Sequence, residues 1–187
     1  TACLDPSEAK PVLDFIKKNK IKLDFIFNTH HHYDHVGGNL ELKEITNCKI
    51  IGSESDHLRI PGIDILVKDK EKFKLGESEV IVYEIPGHTI GHICYYFQKD
   101  YSLFCGDTLF SMGCGRMFEG NAKQMWNSLK LIRSFPDETL IYCGHEYTEA
   151  NITFALSIDP QDRDLQKKFD KIKQVRKNKE STIPSLL

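Results

Sequence analysis

Residues 29–35 read Thr-His-His-His-Tyr-Asp-His, so four of the eight histidines of the chain lie within six positions. Neutral imidazole is the commonest metal ligand in proteins, and Asp34 supplies a hard oxygen beside it. Because side chains alternate along an extended chain, His30 and His32 can face one point, while Asp34 and His35 reach a second. This one segment therefore predicts ligands for two metal ions.

The flanks of this segment argue against a histidine-rich surface loop that binds metal by accident. An apolar run at residues 21–28 precedes it and predicts a strand, and Gly37-Gly38 follows it. Around them, the pattern predicts helices at residues 7–20 (with Ser7 as the N-cap) and 39–46, and a strand at 49–52. This alternation of helices and strands predicts parallel pairing in an α/β layered fold.

The middle of the chain changes to short strand-like runs separated by glycine or polar residues, which predicts a largely antiparallel sheet. These runs cover residues 63–67, 73–75, 79–85, 93–97 and 103–105. The last third returns to helical periodicity. There the pattern predicts a helix at 121–135, a strand at 139–143, and helices near 147–157 and 162–179.

Three further polar residues each follow a glycine at or beside the end of a predicted strand. They are His88 after Gly87, Asp107 after Gly106, and His145 after Gly144. Functional sites collect at strand ends in α/β layers, and glycine lets the backbone turn tightly or approach a neighbour closely. Together with residues 29–35, these three residues complete a predicted two-metal site.

The predicted ligands divide into two sets that share one carboxylate. We expect His30, His32 and His88 to bind the first metal ion, and Asp34, His35 and His145 to bind the second. Asp107 would bridge them, because its two oxygens can span the roughly 3.5 to 4 Å between the ions of two-metal sites. This ligand set suits two divalent ions per chain, with zinc expected and iron or manganese as alternatives.

Composition and charge describe the setting of this site. The formal net charge of -2 gives no field that favours nucleic acid, and no apolar run approaches the roughly 18 to 20 residues that span a bilayer. The six cysteines form no CxxC pair, which indicates reduced thiols rather than a cysteine-ligated zinc. We therefore expect a monomeric, cytoplasmic protein with no nucleic-acid or membrane partner; an organelle stays open because the chain begins without Met.

Several motifs together resemble the metallo-β-lactamase superfamily: THHHYDHVGGN at 29–39, PGHTIGH at 86–92, GDTLF at 106–110 and CGHEYT at 143–148. The CGRMFEG stretch at 114–120 and the CGHEYT motif are similar, more narrowly, to the glyoxalase II (hydroxyacylglutathione hydrolase) family. The resemblance implies an α/β fold of the αββα sandwich type over residues 1–146. A short helical C-terminal segment would follow over residues 147–187.

The same resemblance implies an activity. It is hydrolysis of the thioester S-D-lactoylglutathione to D-lactate and glutathione by a hydroxide that bridges two metal ions. Asp34 and Asp107 would be the catalytic carboxylates, with Asp34 acting as a ligand rather than as a free base. Arg116, Phe118 and Tyr147 would contact the substrate. Two alternatives stay open: Arg116 could be only a solvated charge on a loop, and Tyr147 could only cap the core.

The chain also departs from the family pattern. The family often has tyrosine where Phe118 stands, it has further strands before Asp5-Pro6, and it continues past Leu187 to a basic pair that binds glutathione. The chain therefore resembles a core truncated at both ends. A fragment that binds its substrate weakly stays open as an alternative to full activity.

Thioester hydrolysis suits the predicted ligands. Bound metal can bring the pKa of water from 15.7 to about 7, and the leaving thiol has a pKa of about 8.5, so no Ser-His-Asp triad is required. Other reactions of the superfamily stay open, namely persulfide dioxygenation at one iron and lactam or phosphodiester hydrolysis. Of the remaining histidines, we expect His31 to point away from the metals, His92 to support the ligands, and His57 to lie at the surface.

Overall fold

Two β-sheets pack face to face between outer layers of helices in the computed structural model, which describes all 187 residues. The first sheet is parallel and has the order β1-β2-β3-β4. Its strands are β1 (Ala2–Leu4), β2 (Phe25–Phe27), β3 (Lys49–Ser53) and β4 (Ile65–Val67). The predicted αββα arrangement is thereby confirmed in its first half.

The second sheet is mixed and has the order β12-β11-β8-β7-β6-β5. Its strands are β5 (Lys72–Leu75), β6 (Ser78–Glu84), β7 (Ile93–Phe97), β8 (Ser102–Gly106), β11 (Leu140–Cys143) and β12 (Ser185–Leu186). Strands β5 to β8 are antiparallel neighbours, as predicted, whereas β11 pairs with β8 in parallel. Two short strands, β9 (Leu109–Phe110) and β10 (Gly113–Cys114), form a separate hairpin near the site.

Six α-helices accompany the sheets, and none is long and apolar enough to cross a membrane. They are α1 (Ala9–Asn19), α2 (Tyr33–Val36), α3 (Asn39–Thr46), α4 (Ala122–Arg133), α5 (Thr148–Ile158) and α6 (Arg163–Lys177). N-capping hydrogen bonds define the N-termini of two of these helices. Asn121 and Gln124 form a reciprocal capping box at α4, and Asp162 accepts two backbone N–H groups at α6.

The core has three apolar layers because side chains alternate across each strand. In β2, Ile26 faces α1 and α3, while Phe27 faces the second sheet. In β7, Tyr95 packs in the layer between the sheets, and Tyr96 packs outward in the layer that contains Ile132 of α4. This two-sided burial explains why β2 and β7 are apolar at every position.

The structure corrects several predicted details. Residues 63–67 were expected to join the antiparallel sheet, but β4 pairs in parallel with β3. Ser7 is not the N-cap of α1, because the helix begins at Ala9 and Glu8 occupies the cap without a side-chain hydrogen bond. The run at 21–28 is a strand only over Phe25–Phe27, and the two-residue or three-residue strands β1, β9, β10 and β12 were not predicted. Such short pieces carry too few residues for a periodic signal.

The C-terminal segment packs back onto the second sheet. Leu140 and Ile141 of β11 pair with Leu186 and Ser185 of β12, so residues beyond 146 add a strand to the sheet that carries His145. Helices α5 and α6 pack against each other. The division of the chain at residues 146 and 147 stays a prediction.

Candidate metal centre

The sheet edges bring the predicted ligands together from both halves of the fold. His30 and His32 follow β2, and Asp34 and His35 lie on α2. His88 lies between β6 and β7, Asp107 directly follows β8, and His145 follows β11. Residues separated by 110 positions in the chain are therefore neighbours, as His35 and His145 show.

The first cluster contains His30, His32 and His88. The Nδ1 atom of His32 lies 3.1 Å from Nε2 of His30 and 3.0 Å from Nε2 of His88. Tetrahedral zinc holds nitrogen ligands at about 2.0 to 2.1 Å, which places those nitrogens roughly 3.4 Å apart. Small adjustments would therefore let the three imidazoles converge on one cation.

The second cluster contains Asp34, His35 and His145. The Nε2 atoms of His35 and His145 are 3.3 Å apart, and Oδ2 of Asp34 lies 3.2 Å from Nε2 of His145 and 3.7 Å from Nε2 of His35. Two imidazoles and one carboxylate again face a common point. This set has one hard oxygen in place of an imidazole, which suits a divalent cation.

Asp107 lies between the two clusters. Its Oδ2 is 3.6 Å from Nε2 of His88 and 3.3 Å from Nε2 of His145, and its Oδ1 is 3.4 Å from Nε2 of His35. The Oδ1 atom is buried and makes no hydrogen bond. Such an orphaned carboxylate oxygen is costly in a folded protein, and a cation would satisfy it. The ligand chemistry and this orphaned oxygen therefore both fit bound divalent metal.

Hydrogen bonds behind the ligands decide which nitrogen each histidine offers. Thr29 donates its hydroxyl hydrogen to Oδ2 of Asp5 at 2.7 Å, so it accepts from Nδ1 of His30 at 3.0 Å. Asp5 Oδ2 also accepts from Nδ1 of His35 at 3.0 Å, and the backbone oxygen of Arg116 accepts from Nδ1 of His88 at 2.7 Å. Each of these three histidines thus keeps its Nε2 lone pair free for metal.

Sequence reasoning missed Asp5 and Thr29 as supports of the ligands. Asp5 lies just after β1, a three-residue strand with no sequence signature, and it reaches His35 across 30 positions of sequence. The parallel pairing of β1 with β2 brings the two together. The one available signal was the position of Thr29 directly before the histidine run.

His92 and His31 take different supporting places. The buried ring of His92 stacks on His30, with centroids 4.6 Å apart, and its Nε2 accepts the backbone N–H of Asp107 at 3.2 Å. His31 points away from the clusters, and its Nδ1 lies 3.0 Å from Oδ2 of Asp56. His57 is exposed and bonds only to the backbone oxygen of Glu54.

Two of the glycines that precede predicted ligands leave no room for a side chain. Gly106 has a φ of +49°, and a Cβ there would come within 2.8 Å of the His92 ring. A Cβ on Gly144 would lie 2.7 Å from Cε1 of His35 and would collide with Asp107. Both positions therefore exclude larger residues, because the supporting side chains Thr29 and His92 occupy the space beside Gly106 and the predicted ligands His35 and Asp107 occupy the space beside Gly144.

Burial and charge divide the histidines into two electrostatic groups. Burial lowers the pKa values of His30, His32 and His88, so the first cluster is neutral near pH 7. Burial alone would lower the pKa of His35, but Asp107 and Asp5 raise it to about 10, and Asp107 also raises the pKa of His145. In the absence of metal, protons on the second cluster therefore balance the carboxylate charge.

An open cavity of about 790 Å³ lies above the two clusters. Its lining combines ligands with residues of the loop at 114–120 and of the start of α5, including Cys114, Arg116, Phe118, Glu119, Tyr147 and Asn151. The Arg116 guanidinium lies 5.6 Å from the centre of the Phe118 ring. Tyr147 stacks on His145, with centroids 4.8 Å apart and planes 10° apart. The three predicted substrate residues thus share one cavity with the predicted ligands.

Comparison with known proteins identifies the family of this site. Residues 4–145 match the metallo-β-lactamase superfamily, and residues 146–187 match the hydroxyacylglutathione hydrolase C-terminus. The chain is 48% identical to the hydroxyacylglutathione hydrolase of Methylococcus capsulatus and 50% identical to that of Rhodospirillum rubrum, covering 100% of this chain and 73% of each relative. The chain belongs to the hydroxyacylglutathione hydrolase family.

A solved structure carries a related fold. TTHA1623, in a di-iron-bound form, matches with a TM-score of 0.63 at 27% identity, over 75% of this chain and 79% of that chain. The hydroxyacylglutathione hydrolase family thus accounts for the motifs at 29–39, 86–92, 106–110 and 143–148, which the structure collects at one end of the two sheets. The predicted family and fold are confirmed, and divalent metal binding agrees with both.

Proposed function

We propose that this chain hydrolyses S-D-lactoylglutathione to D-lactate and glutathione with two divalent metal ions. We expect both ions to be zinc, with iron or manganese as alternatives. One observation carries the proposal: two clusters of imidazole and carboxylate groups share Asp107 at the floor of a cavity whose walls include Arg116 and aromatic rings. The names of the family relatives and the match of residues 146–187 support a glutathione thioester over the other superfamily reactions.

Seven residues would hold the ions, in the two sets described above with Asp107 between them. Bound divalent cations supply acidified water, with a pKa that can fall to about 7, and polarise a carbonyl oxygen. Asp34 is half exposed at the cavity floor and 3.2 Å from His145, so we assign it as a ligand rather than as a free base. Because a thiolate leaves readily, the chain needs no separate acid at that sulfur.

The cavity walls suit the glutathione portion of the substrate. Glutathione carries two carboxylates at neutral pH, and Arg116 offers a guanidinium that can bind a carboxylate through two N–H groups. Phe118 and Tyr147 are 61% and 47% exposed, so their rings are available for contact. Phe118 lacks a hydroxyl, so its contact would be apolar.

We further propose a cytoplasmic monomer. All six cysteines are free, including the exposed Cys114, which supports a reducing compartment. An oxidising compartment would leave such a thiol open to modification. Analytical ultracentrifugation of the metal-loaded protein would test the monomer, and a single species near 21.5 kDa is expected.

The central experiment joins metal analysis with a hydrolysis assay. The purified chain should hold two ions and release glutathione from S-D-lactoylglutathione, and Asp107→Asn should lower turnover by about 100-fold or more, because one bridging carboxylate serves both ions. Asp159→Asn, on the exposed turn after α5, is the matched control and should keep full turnover. No turnover with two ions bound would overturn the proposal. One iron and consumption of oxygen by a persulfide would favour a dioxygenase.

A further inference from the structure

A network of charged side chains connects the loop at residues 114–120, which we call the Arg116 loop, to the histidine segment. Arg59 lies at its centre. Its Nε donates to Oδ1 of Asp56 at 3.1 Å, its Nη2 donates to Oε2 of Glu119 at 3.3 Å, and its Nη1 bonds Oε1 of Glu119. One guanidinium thus holds two carboxylates, and its partner Glu119 is 60 residues away in the chain.

Glu119 anchors the Arg116 loop at several points. Its Oε2 accepts the backbone N–H of Ile90 at 2.8 Å. The backbone N–H groups of Phe118 and Glu119 donate to the backbone oxygen of His88 at 3.1 and 3.4 Å. The loop that carries Arg116 is therefore fixed against the loop that carries a metal ligand.

Asp56 forms the other end of the network. It is fully buried, and its Oδ2 lies 3.0 Å from Nδ1 of His31. Gly91 packs so closely on this carboxylate that a Cβ at Gly91 would collide with it. Nε2 of His31 is also 3.6 Å from Oε1 of Glu119. The network thus ends on the residue that lies between two predicted ligands, His30 and His32.

We infer that Arg59 and Glu119 are positioning residues that hold the Arg116 loop in place for the glutathione portion of the substrate. The inference rests on the proposed function. Glu119 lies on the cavity wall, whereas Arg59 does not line the cavity and reaches it only through Glu119. Arg59 therefore acts on the substrate through the loop.

The expected effect falls on binding more than on turnover. The metal clusters lie on the loops after β2, β6, β8 and β11, and Arg59 makes no hydrogen bond to any of the seven predicted ligands, because its partners are Asp56 and Glu119. A loop released from Arg59 must be ordered again when substrate binds, and this ordering lowers affinity. Misplacing Arg116 by a small distance would add to that loss.

The test compares Arg59→Met, Glu119→Gln and the double variant. Each single variant should raise KM for S-D-lactoylglutathione about tenfold, with kcat changed less than about twofold and an unchanged metal content. The double variant should be no worse than the more affected single variant, because both changes remove the same contact. Lys72→Met, which removes an exposed ion pair with Glu79 far from the cavity, is the control and should change nothing.

Two readouts separate positioning from other roles. A lactoyl thioester of a small thiol lacks the glutathione portion, so its kcat/KM should be equal in all variants, whereas a general structural defect would lower it. A purely electrostatic role of Glu119 predicts a lower KM for Glu119→Gln, because a negative charge would leave the cavity wall. That result, or additive effects in the double variant, would overturn the inference.

Calorimetric binding of glutathione itself keeps the inference independent of the activity. If the wild-type chain binds glutathione but hydrolyses no lactoyl thioester, the proposed function fails. The positioning role of Arg59 and Glu119 can still be tested by the affinity for glutathione. Arg59→Met should then weaken glutathione binding about tenfold. Equal affinity would contradict the inference. If Arg59→Met does not fold, Arg59→Lys is the substitute. Lysine keeps the charge but cannot bond Asp56 and Glu119 at the same time, so the affinity for glutathione should fall by a smaller factor.

Discussion

At the scale of single residues, the structure brings the seven predicted ligands together, whereas the residues that support them were not predicted. The seven predicted ligands share a local signature of histidine or aspartate beside strand ends and glycine. Asp5 has no such signature, yet its Oδ2 receives hydrogen bonds from both Thr29 and His35. A ligand can be recognised from its residue type and its spacing in the sequence. A residue that supports a ligand by a hydrogen bond cannot, because its contact depends on which strands become neighbours in the fold.

Asp5→Asn tests this support. An amide nitrogen at Oδ2 would donate rather than accept, so His35 would lose the acceptor for its Nδ1 proton. We expect metal affinity at the second cluster to fall about 10- to 100-fold. Competition against a chromogenic chelator measures it.

A matched control separates this effect from loss of charge. Asp14→Asn removes a carboxylate of the exposed pair with Lys10 on α1 and should leave metal affinity unchanged. Equal affinity of Asp5→Asn and the wild-type chain would show that Asp5 does not select the nitrogen that His35 offers.

At the scale of elements, periodic segments were predicted well and short ones poorly. Helices α3, α4 and α6 and strands β3, β6 and β7 lie where their apolar spacing indicated. The direction of β4 was wrong because a three-residue strand holds no information on its partner. The helical turn α2, which carries Asp34 and His35, was not predicted, since four residues show no helical period.

The cap of α4 gives a prediction at this scale. Asn121 Oδ1 accepts the N–H of Gln124 at 3.1 Å, and Gln124 Oε1 accepts the N–H of Asn121 at 3.1 Å. Asn121→Ala should cost about 1 kcal/mol of unfolding free energy. For a chain of this size, the melting temperature should fall by about 2 to 4 °C.

Lys123→Ala, on the same helix and exposed, is the control for this measurement. It should leave the melting temperature within about 1 °C, because alanine is a good helix former and no side-chain bond is lost. Identical melting of the Asn121 variant and the wild-type chain would show that the Arg116 loop, which ends at Gly120, holds the helix start without the cap.

At the scale of the whole molecule, protons and metal compete for the same groups. In the metal-free protein, His35 has a pKa of about 10, raised by Asp107 and Asp5 against the effect of burial, while the ordinary value is 6.5. Its stabilising contribution is therefore complete below pH 6.5 and is lost as the pH rises toward 10. Burial lowers the pKa of His92 to about 3, so its contribution is complete above pH 6.5 and is lost as the pH falls.

These opposite signs predict a stability maximum near pH 6.5 for the metal-free protein. Denaturant unfolding in the presence of a chelator should show a falling free energy of unfolding from pH 6.5 to about 7.5, below the range in which the thiols of the unfolded chain ionise, at a pKa of about 8.5. His35→Gln should reduce this fall of the free energy of unfolding with pH, whereas His57→Gln, at the exposed turn, should leave the fall unchanged. A wild-type free energy that rises over this range would contradict the assignment of a proton to His35.

Each metal cluster takes two ligands from the end of the first sheet and one from the second, and Asp107 of the second sheet faces both. This division has a consequence for the order of events in the cell. Before the sheets meet, the segment at 29–35 offers only two of the four predicted protein ligands of each ion, counting Asp107 with both, so a newly made chain holds metal only weakly. Ions captured after docking favour the assembled state by mass action, and dissociation of one sheet from the other must release them first. Metal supply would then govern how long the finished enzyme survives rather than whether the chain finds its fold.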